Sequence, residues 1–394
     1  MICLIEMIKE AALAIYLTAV RTVFRLCRLA PLQHKTVMLA SFGDNIQVVA
    51  SEVSAQTDSR VVILKEPGCR QKFDSIASRN IIRFSPARPS NWLKGLYHLA
   101  TAEVVFVDNY HLILAACDFR QEAVCVQLWH ANGAVKMFGL YDKTASDRPK
   151  SAIRRFRQVY SRFHKVVVSS DEMAGIFKRA FGLDEANILK TGVPRTDFYR
   201  STQRVKKARE EMEMSLPQLR DKKVLLYAPT FRDSDFTIDS LPLDLEKMKD
   251  ALGTDHHLLI QLHRTVQLVD TYNSDFVTHT SGKYDIASLL SVADLLITDY
   301  SSIPFEFSML GRPMLFFAYD LEQYKVTRGI WFEYTAMMPG PVARTTDDVI
   351  RHIKENHFDY LEVASFDAIW NKYATGNASK NLVEVLYKKT PEEI

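Results

Sequence analysis

Between Leu295 and Ala318 the chain spells out strand, turn, helix and strand in immediate succession. Leu295-Leu296-Ile297-Thr298 is a short apolar run that reads as a buried strand. Asp299-Tyr300-Ser301-Ser302 follows as a turn, then a helix-like pattern through Met309 and Leu310, closed by the stop signals Gly311-Arg312-Pro313. Met314 to Ala318 is a second apolar strand. Such a unit commits the fold to alternating strands and helices around a parallel sheet. Ser301 and Ser302 stand where the helix begins, so hydroxyls, free N–H groups and the positive dipole end meet at a spot suited to phosphate. Serines at that place also serve simply as caps.

The same alternation fills the chain on both sides. Apolar runs at 36–40, 61–64, 81–84, 104–107, 123–128, 166–169 and 187–191 read as strands, and a second set follows at 224–227, 258–262 and 276–278. Ser41-Phe42-Gly43-Asp44-Asn45 resembles a turn from strand to helix but lacks dinucleotide-binding GxGxxG spacing. The charged stretch from Arg200 to Lys223 reads as helix and linker. The expected domains are 1–30 as a membrane-associating helix, 31–199, a linker at 200–223, and 224–394. A last helix from Asn377 to Lys389 either stays with the second domain or crosses back to the first.

Three further strands end in polar groups. Leu128 is followed by Trp129-His130-Ala131-Asn132-Gly133-Ala134-Val135-Lys136, and Tyr227 by Ala228-Pro229-Thr230-Phe231-Arg232. Leu262 is followed by His263-Arg264. Ligands of open parallel sheets bind outside the carboxyl ends of strands, so four such ends point to a site rather than to packing.

In this order the motifs resemble the CDP-glycerol glycerophosphotransferase family of wall teichoic acid synthesis. Tyr319-Asp320, Tyr324 and Arg328-Gly329 continue the likeness, which reaches Gly376–Ser379. His130-Ala131-Asn132-Gly133 stands where many members read His-Gly, and this version resembles the primase branch. The resemblance implies a GT-B-like α/β fold, two doubly wound Rossmann-like domains facing a cleft. It implies transfer of glycerol phosphate from CDP-glycerol to a hydroxyl of an undecaprenyl-diphosphate-linked disaccharide, with CMP leaving. His130 is then the general base, and His263 stabilises the pyrophosphate or protonates the departing phosphate. Asp299 orients a turn, fixes a histidine or contacts the glycerol. Ser301, Ser302 and Thr230 cradle phosphate, with charge from Arg328 and Arg232. Lys136 faces donor phosphate, acceptor pyrophosphate or solvent, and Glu306 accepts from ribose hydroxyls or pairs with a base. Gly133, Arg264, Tyr319 and Gly329 complete the substrate-binding set. His164, His256, His257 and His279 read as structural. No DxD-like carboxylate pair stands in the motifs, so no metal or other cofactor is expected. A polymerase of the same family, another GT-B nucleotide-sugar glycosyltransferase and a non-catalytic membrane scaffold are the competing readings; the intact His130 and His263 argue against the last.

Composition bounds these readings. A chain of 394 residues with 47% hydrophobic and 25% charged residues is ordinary folded material of two or three domains. A formal charge of +3 is too small to imply nucleic acid. The five cysteines are scattered without metal-ligand spacing, as in a reduced cytosolic protein. Ala11 to Val20 is apolar but shorter than the ~20 residues that span a bilayer. Arg21, Arg25 and Arg28 follow on one helical face, so this helix either lies in an anionic membrane interface at the cytoplasmic face or packs on the protein's own core. A second basic stretch, Lys150 to Lys165, carries Phe156, Tyr160 and Phe163; without an RNA-binding motif it fits nucleic acid less well than a helix facing lipid or lipid pyrophosphate, or a solvated face.

Overall fold

The computed structural model describes residues 2–230, 232, 237–238, 241–262, 267–268 and 273–388. Their contacts gather into two units, one from 1–130, 138–195 and 373–394, the other from 131–137 and 196–372.

The first unit holds a seven-stranded sheet of β1 (Gln33–Ala40), β2 (Arg60–Lys65), β3 (Ile81–Arg83), β4 (Ala102–Val107), β5 (Val124–Gln127), β6 (Lys165–Val167) and β7 (Ile188–Leu189). Its order is β3-β2-β1-β4-β5-β6-β7. All neighbours run parallel. The order reverses between β1 and β4, which makes the loops after these strands the natural place for a site. Val37 to Ala40 and Val105 to Val107 are fully buried, as in a parallel sheet covered on both faces. The helices of this part are α1 (Ile2–Cys27), α2 (Asp44–Gln56), α3 (Pro89–Ala100), α4 (Lys150–Tyr160) and α5 (Asp171–Phe181).

Helix α1 buries Leu17, Val20 and Phe24 and leaves Met7, Ile8, Ile15 and Leu26 exposed. Thus one face packs on the protein's own core while another stays apolar and uncovered. The arginine stripe divides. Arg28 pairs with Asp118 at 3.0 Å and Arg21 reaches the Ala115 carbonyl at 3.5 Å, whereas Arg25 is exposed. Glu10 clamps α1 to α4 by accepting both arms of the Arg155 fork, at 2.5 and 2.7 Å, and the Ser151 hydroxyl at 2.7 Å. Those hydrogen bonds hold the Glu10 carboxyl down at about 2. In the basic stretch, Tyr160 and Phe163 are buried and Arg154 and Arg157 are exposed. Among the described residues no helix is long and apolar enough to cross a membrane.

The second unit opens with α6 (Thr202–Ser215), the charged stretch expected as helix and linker. It is anchored through buried Val205, Ala208 and Met212. Strands β8 (Lys223–Ala228), β9 (Thr237–Ile238), β10 (His256–Ile260), β11 (Gln267–Leu268), β12 (Val277–His279), β13 (Leu295–Thr298), β14 (Met314–Phe317) and β15 (Val342–Ala343) follow. Six of them form the order β12-β10-β8-β13-β14-β15, and β11 pairs with β9. All these pairs are parallel too, with the order reversing between β8 and β13. The intervening helices are α7 (Leu245–Leu252), α8 (Ile286–Val292), α9 (Ile303–Phe307), α10 (Leu321–Thr327), α11 (Tyr334–Met337), α12 (Thr346–Glu355) and α13 (Tyr360–Trp370). The last helix, α14 (Ala378–Tyr387), belongs by its contacts to the first unit. There Leu382 and Val383 join the core cluster that holds Val49 and Val53 of α2.

Candidate active site

In the first unit, β5 delivers His130 through a strained turn. Trp129 adopts φ +58, a left-handed conformation that is costly for a bulky side chain. Side chains enforce it: the Gln127 amide oxygen accepts from the Trp129 N–H at 2.8 Å, and the Asn45 amide donates to the Trp129 carbonyl at 3.0 Å. The Trp129 ring packs among Phe138, Phe177 and Phe181 with centroids 5.2–5.9 Å away. The half-buried His130 imidazole stacks on Phe42 at 4.2 Å and on Trp129 at 4.3 Å. Its Nδ1 lies 3.2 Å from the Asp108 carbonyl oxygen. A carbonyl only accepts, so Nδ1 carries the hydrogen and, in the neutral ring, Nε2 carries the lone pair.

In the second unit, Thr230 follows β8 and Asp299 follows β13, so both stand at the reversal point of the sheet. Asp299 is buried, and both carboxylate oxygens are used within the protein. One accepts from the N–H groups of Thr230 and Tyr300, at 2.7 and 2.6 Å, and the other from Arg232 at 2.9 Å. Through these bonds Asp299 ties the loop after β8 to the turn after β13. Arg232 donates to both oxygens of Asp320, at 3.0 and 3.1 Å, and to the Thr230 carbonyl at 2.6 Å. Tyr300, Tyr319 and Tyr324 ring its guanidinium at 5.0–5.7 Å. Burial opposes the charge, but Asp299 and Asp320 outweigh it and raise the Arg232 pKa. These bonds join Arg232 to both loops.

Ser301 and Ser302 precede α9, as expected, but α9 is only five residues long and carries Pro304 in its first turn. The dipole expected there is correspondingly small, and the hydroxyls matter more. The Ser301 hydroxyl accepts from the Ile303 N–H at 3.2 Å, whereas Ser302 makes no capping bond. The Thr230 hydroxyl is buried beside the Asp299 carboxylate. Glu306 is buried and accepts from the Tyr199 hydroxyl at 3.3 Å. Tyr319 is 39% exposed.

The segment 131–137 joins this second unit. It pairs with the chain after α10: Lys136 bridges Ile330 in antiparallel register, Met137 donates to the Gly329 carbonyl at 3.1 Å, and Trp331 donates to the Val135 carbonyl at 3.0 Å. Lys136 is thereby brought beside Arg328-Gly329, two motifs far apart in sequence. Gly329 has φ +74, which glycine adopts without strain. Gly133 lies against Phe305, where a Cβ would come within 2.4 Å of the ring. The Asn371 amide donates to the Phe305 carbonyl at 2.7 Å, and its oxygen accepts from Asn132 at 2.5 Å. Gly133 therefore seats the segment on Phe305 of α9.

His263 and Arg264 lie outside the described residues. Of the histidines read as structural, the His164 Nδ1 accepts from the Cys125 N–H at 3.1 Å, and the His257 Nε2 lies 2.8 Å from the Thr278 hydroxyl. Among the described residues no group of His, Cys, Asp and Glu converges as a metal-ligand set.

Fold class comes first from comparison with known proteins. The structure of the wall teichoic acid polymerase TagF matches with a TM-score of 0.78 at 21% identity, covering 96% of this chain and 97% of that one. That likeness establishes the GT-B-like α/β fold. The family follows from sequence. The family described as CDP-Glycerol:Poly(glycerophosphate) glycerophosphotransferase matches residues 22–388. The teichoic acid glycerol-phosphate primase of Bacillus subtilis (strain 168) is 36% identical over 358 residues, 90% of this chain and 92% of its own. The teichoic acid ribitol-phosphate primase of Bacillus spizizenii is 32% identical over 371 residues, 92% and 93% of the two chains. The chain belongs to the CDP-glycerol glycerophosphotransferase family and is a transferase.

Proposed function

We propose that this enzyme is a teichoic acid primase. It moves one glycerol phosphate from CDP-glycerol to a hydroxyl of an undecaprenyl-diphosphate-linked disaccharide and releases CMP. The observation that carries the chemistry is His130: a ring fixed by two stacked aromatics, with Nδ1 bonded to a carbonyl and Nε2 in the form that accepts a proton. Such a group suits removal of the acceptor hydroxyl's proton as the oxygen attacks phosphorus. The likeness to the glycerol-phosphate primase supports the single-addition reading. In the assay, CMP release from CDP-glycerol should require the lipid-linked disaccharide. Absence of CMP with both substrates present, or equal release from CDP-ribitol, would count against the donor assignment.

The donor phosphates are assigned to Ser301, Ser302 and the Thr230 hydroxyl, with Lys136 and Arg328 supplying positive charge. Asp299 and Arg232 act beneath this cradle as positioning residues. Glu306, Gly133, Tyr319 and Gly329 shape the donor side, and His263 and Arg264 are assigned to the phosphates on sequence grounds. Arg328→Ala and Ser302→Ala should weaken CDP-glycerol more than the acceptor. A charge-assisted hydrogen bond contributes roughly 1.5–3 kcal/mol, or about ten- to hundredfold in affinity. Unchanged donor affinity in both variants, measured by titration calorimetry, would place the cradle elsewhere.

The site of action is assigned to the cytoplasmic face of an anionic membrane, with α1 as the peripheral contact. Ile8 and Ile15 are 60% and 72% exposed, and burying each such side chain is worth about 1.5–3 kcal/mol. Ile8→Glu with Ile15→Glu should therefore release most of the protein from acidic liposomes in a sedimentation assay. Arg21 and Arg28 already have partners within the protein, so replacing them should matter less than replacing Arg25, Arg154 and Arg157. A folded Ile8/Ile15 double variant that sediments like the wild type contradicts the assignment.

A further inference from the structure

We propose that Asp108, paired with the His111 that Glu66 holds, is a positioning residue that orients His130 through two separate contacts; the inference rests on His130 being the base.

Asp108 follows β4 at the reversal point of the first sheet and is 1% exposed. Its carboxylate accepts from three successive backbone N–H groups after β1: Ser41 at 2.9 Å, Phe42 at 3.0 Å and Gly43 at 2.7 Å. Gly43, with φ +98, lets the chain curl so that all three donors converge on one anion. Phe42 is in turn the residue whose ring stacks on the His130 imidazole, the planes only 14° apart. The carboxylate thus fixes the ring that covers one face of His130. The same residue's carbonyl oxygen receives the His130 Nδ1 hydrogen at 3.2 Å. One buried residue therefore sets both the plane and the tautomer of the imidazole.

The charge that makes this possible is balanced below. The buried His111 places Nδ1 3.1 Å from Glu66 and Nε2 3.7 Å from the Asp108 carboxylate. The second distance is an ion pair rather than a hydrogen bond. Ser41 completes the ring by donating its hydroxyl to Glu66. Burial works against a charged His111, but the two carboxylates outweigh it and push its pKa up to about 9. His111 and the backbone N–H groups likewise hold the Asp108 carboxyl low despite its burial. None of Asp108, His111 and Glu66 is needed to touch substrate in the mechanism above. A packing role alone would not bring carboxylate, carbonyl and stacked ring of one turn to bear on a single histidine.

The test is Asp108→Asn in the full-length enzyme. Asn puts an NH2 against N–H donors wherever its amide is turned, so the turn carrying Phe42 should shift. Misplacing a reacting group by an ångström costs on the order of a hundredfold, so kcat should fall roughly ten- to hundredfold. KM for CDP-glycerol should stay within about twofold, because the donor groups belong to the other unit. Nitrogen-15 NMR of the histidine rings should change the His130 signal from one Nδ1–H tautomer to a mixture. Phe42→Leu keeps every charge and removes only the stacked ring. It should give about a three- to tenfold loss of kcat with the same spectral change, and it decides the matter if Asp108→Asn does not fold. Wild-type kcat in a folded variant, or a fall in kcat with an unaltered His130 signal, overturns the proposal. If His130→Ala itself retains turnover, the base reading fails first; if His130→Ala is inactive while these variants are normal, only the positioning claim fails.

Discussion

His130→Ala should lower glycerol phosphate transfer by about 10²–10⁴, the usual loss when a general base is removed. Folding should change little, because the imidazole is half-buried and lies over Phe42 and Trp129 rather than inside the sheet core. Affinity for CDP-glycerol should be retained, since the groups assigned to its phosphates, Thr230, Ser301, Ser302, Lys136 and Arg328, all belong to the other unit. The expected pattern is thus a collapse of kcat with an unchanged melting temperature and an unchanged donor titration. Turnover within a few-fold of wild type would remove His130 from the base role. A loss of kcat together with a large fall in melting temperature would mean that the ring supports Trp129 in its strained turn, where φ is +58.

Arg232→Ala should be the most destabilising single change at the candidate site. It removes the cation from between Asp299 and Asp320, whose side chains are 3% and 16% exposed. Breaking a buried pair by deleting one partner typically costs about 3–5 kcal/mol, because the remaining charge stays buried without compensation. Urea unfolding should show this loss. Arg232→Lys should recover only part of it, since an ammonium cannot supply the planar fork that meets Asp320 with two nitrogens, at 3.0 and 3.1 Å, and Asp299 with one, at 2.9 Å. Donor affinity should fall along with stability, because Arg232 and Asp299 together hold the loop that carries Thr230 to the turn that carries Ser301. An Arg232→Ala protein with wild-type stability would show that the two carboxylates are solvated or protonated in the folded state.

Most strands were legible because a parallel strand buried on both faces must be an apolar run. Leu295 to Thr298 matches its expected bounds, and the runs at Thr36–Ala40 and Val104–Val107 lie inside β1 and β4. The strands that escaped, β9, β11 and β15, are two residues each, too short for any period to show. The path of residues 131–137 also left no local trace. Its pairing with Gly329–Trp331 depends on a contact nearly two hundred residues away, and Gly133 signals it only once the Phe305 ring is seen against it. At the site, strand-end polar residues were found by pattern, but their division of labour was not. Arg232 and Asp299 look like ligands in sequence and bond to one another in the structure. Asp108 and His111 carry no motif of their own, although Asp108-Asn109-Tyr110-His111 ends β4 in the same manner as the other strand-end motifs. The arginines after Val20 followed helical spacing correctly, but spacing could not reveal that Asp118 and the Ala115 carbonyl take two of them.

The most direct measurement is the mass of the lipid product formed from CDP-glycerol and a soluble undecaprenyl-diphosphate-linked disaccharide analogue by the wild-type enzyme and His130→Ala side by side. The wild type should add one glycerol phosphate and stop, and the variant should return the acceptor unchanged. A ladder of many additions would make the enzyme a polymerase, and a sugar transferred from a nucleotide sugar in place of glycerol phosphate would contradict the proposed reaction altogether.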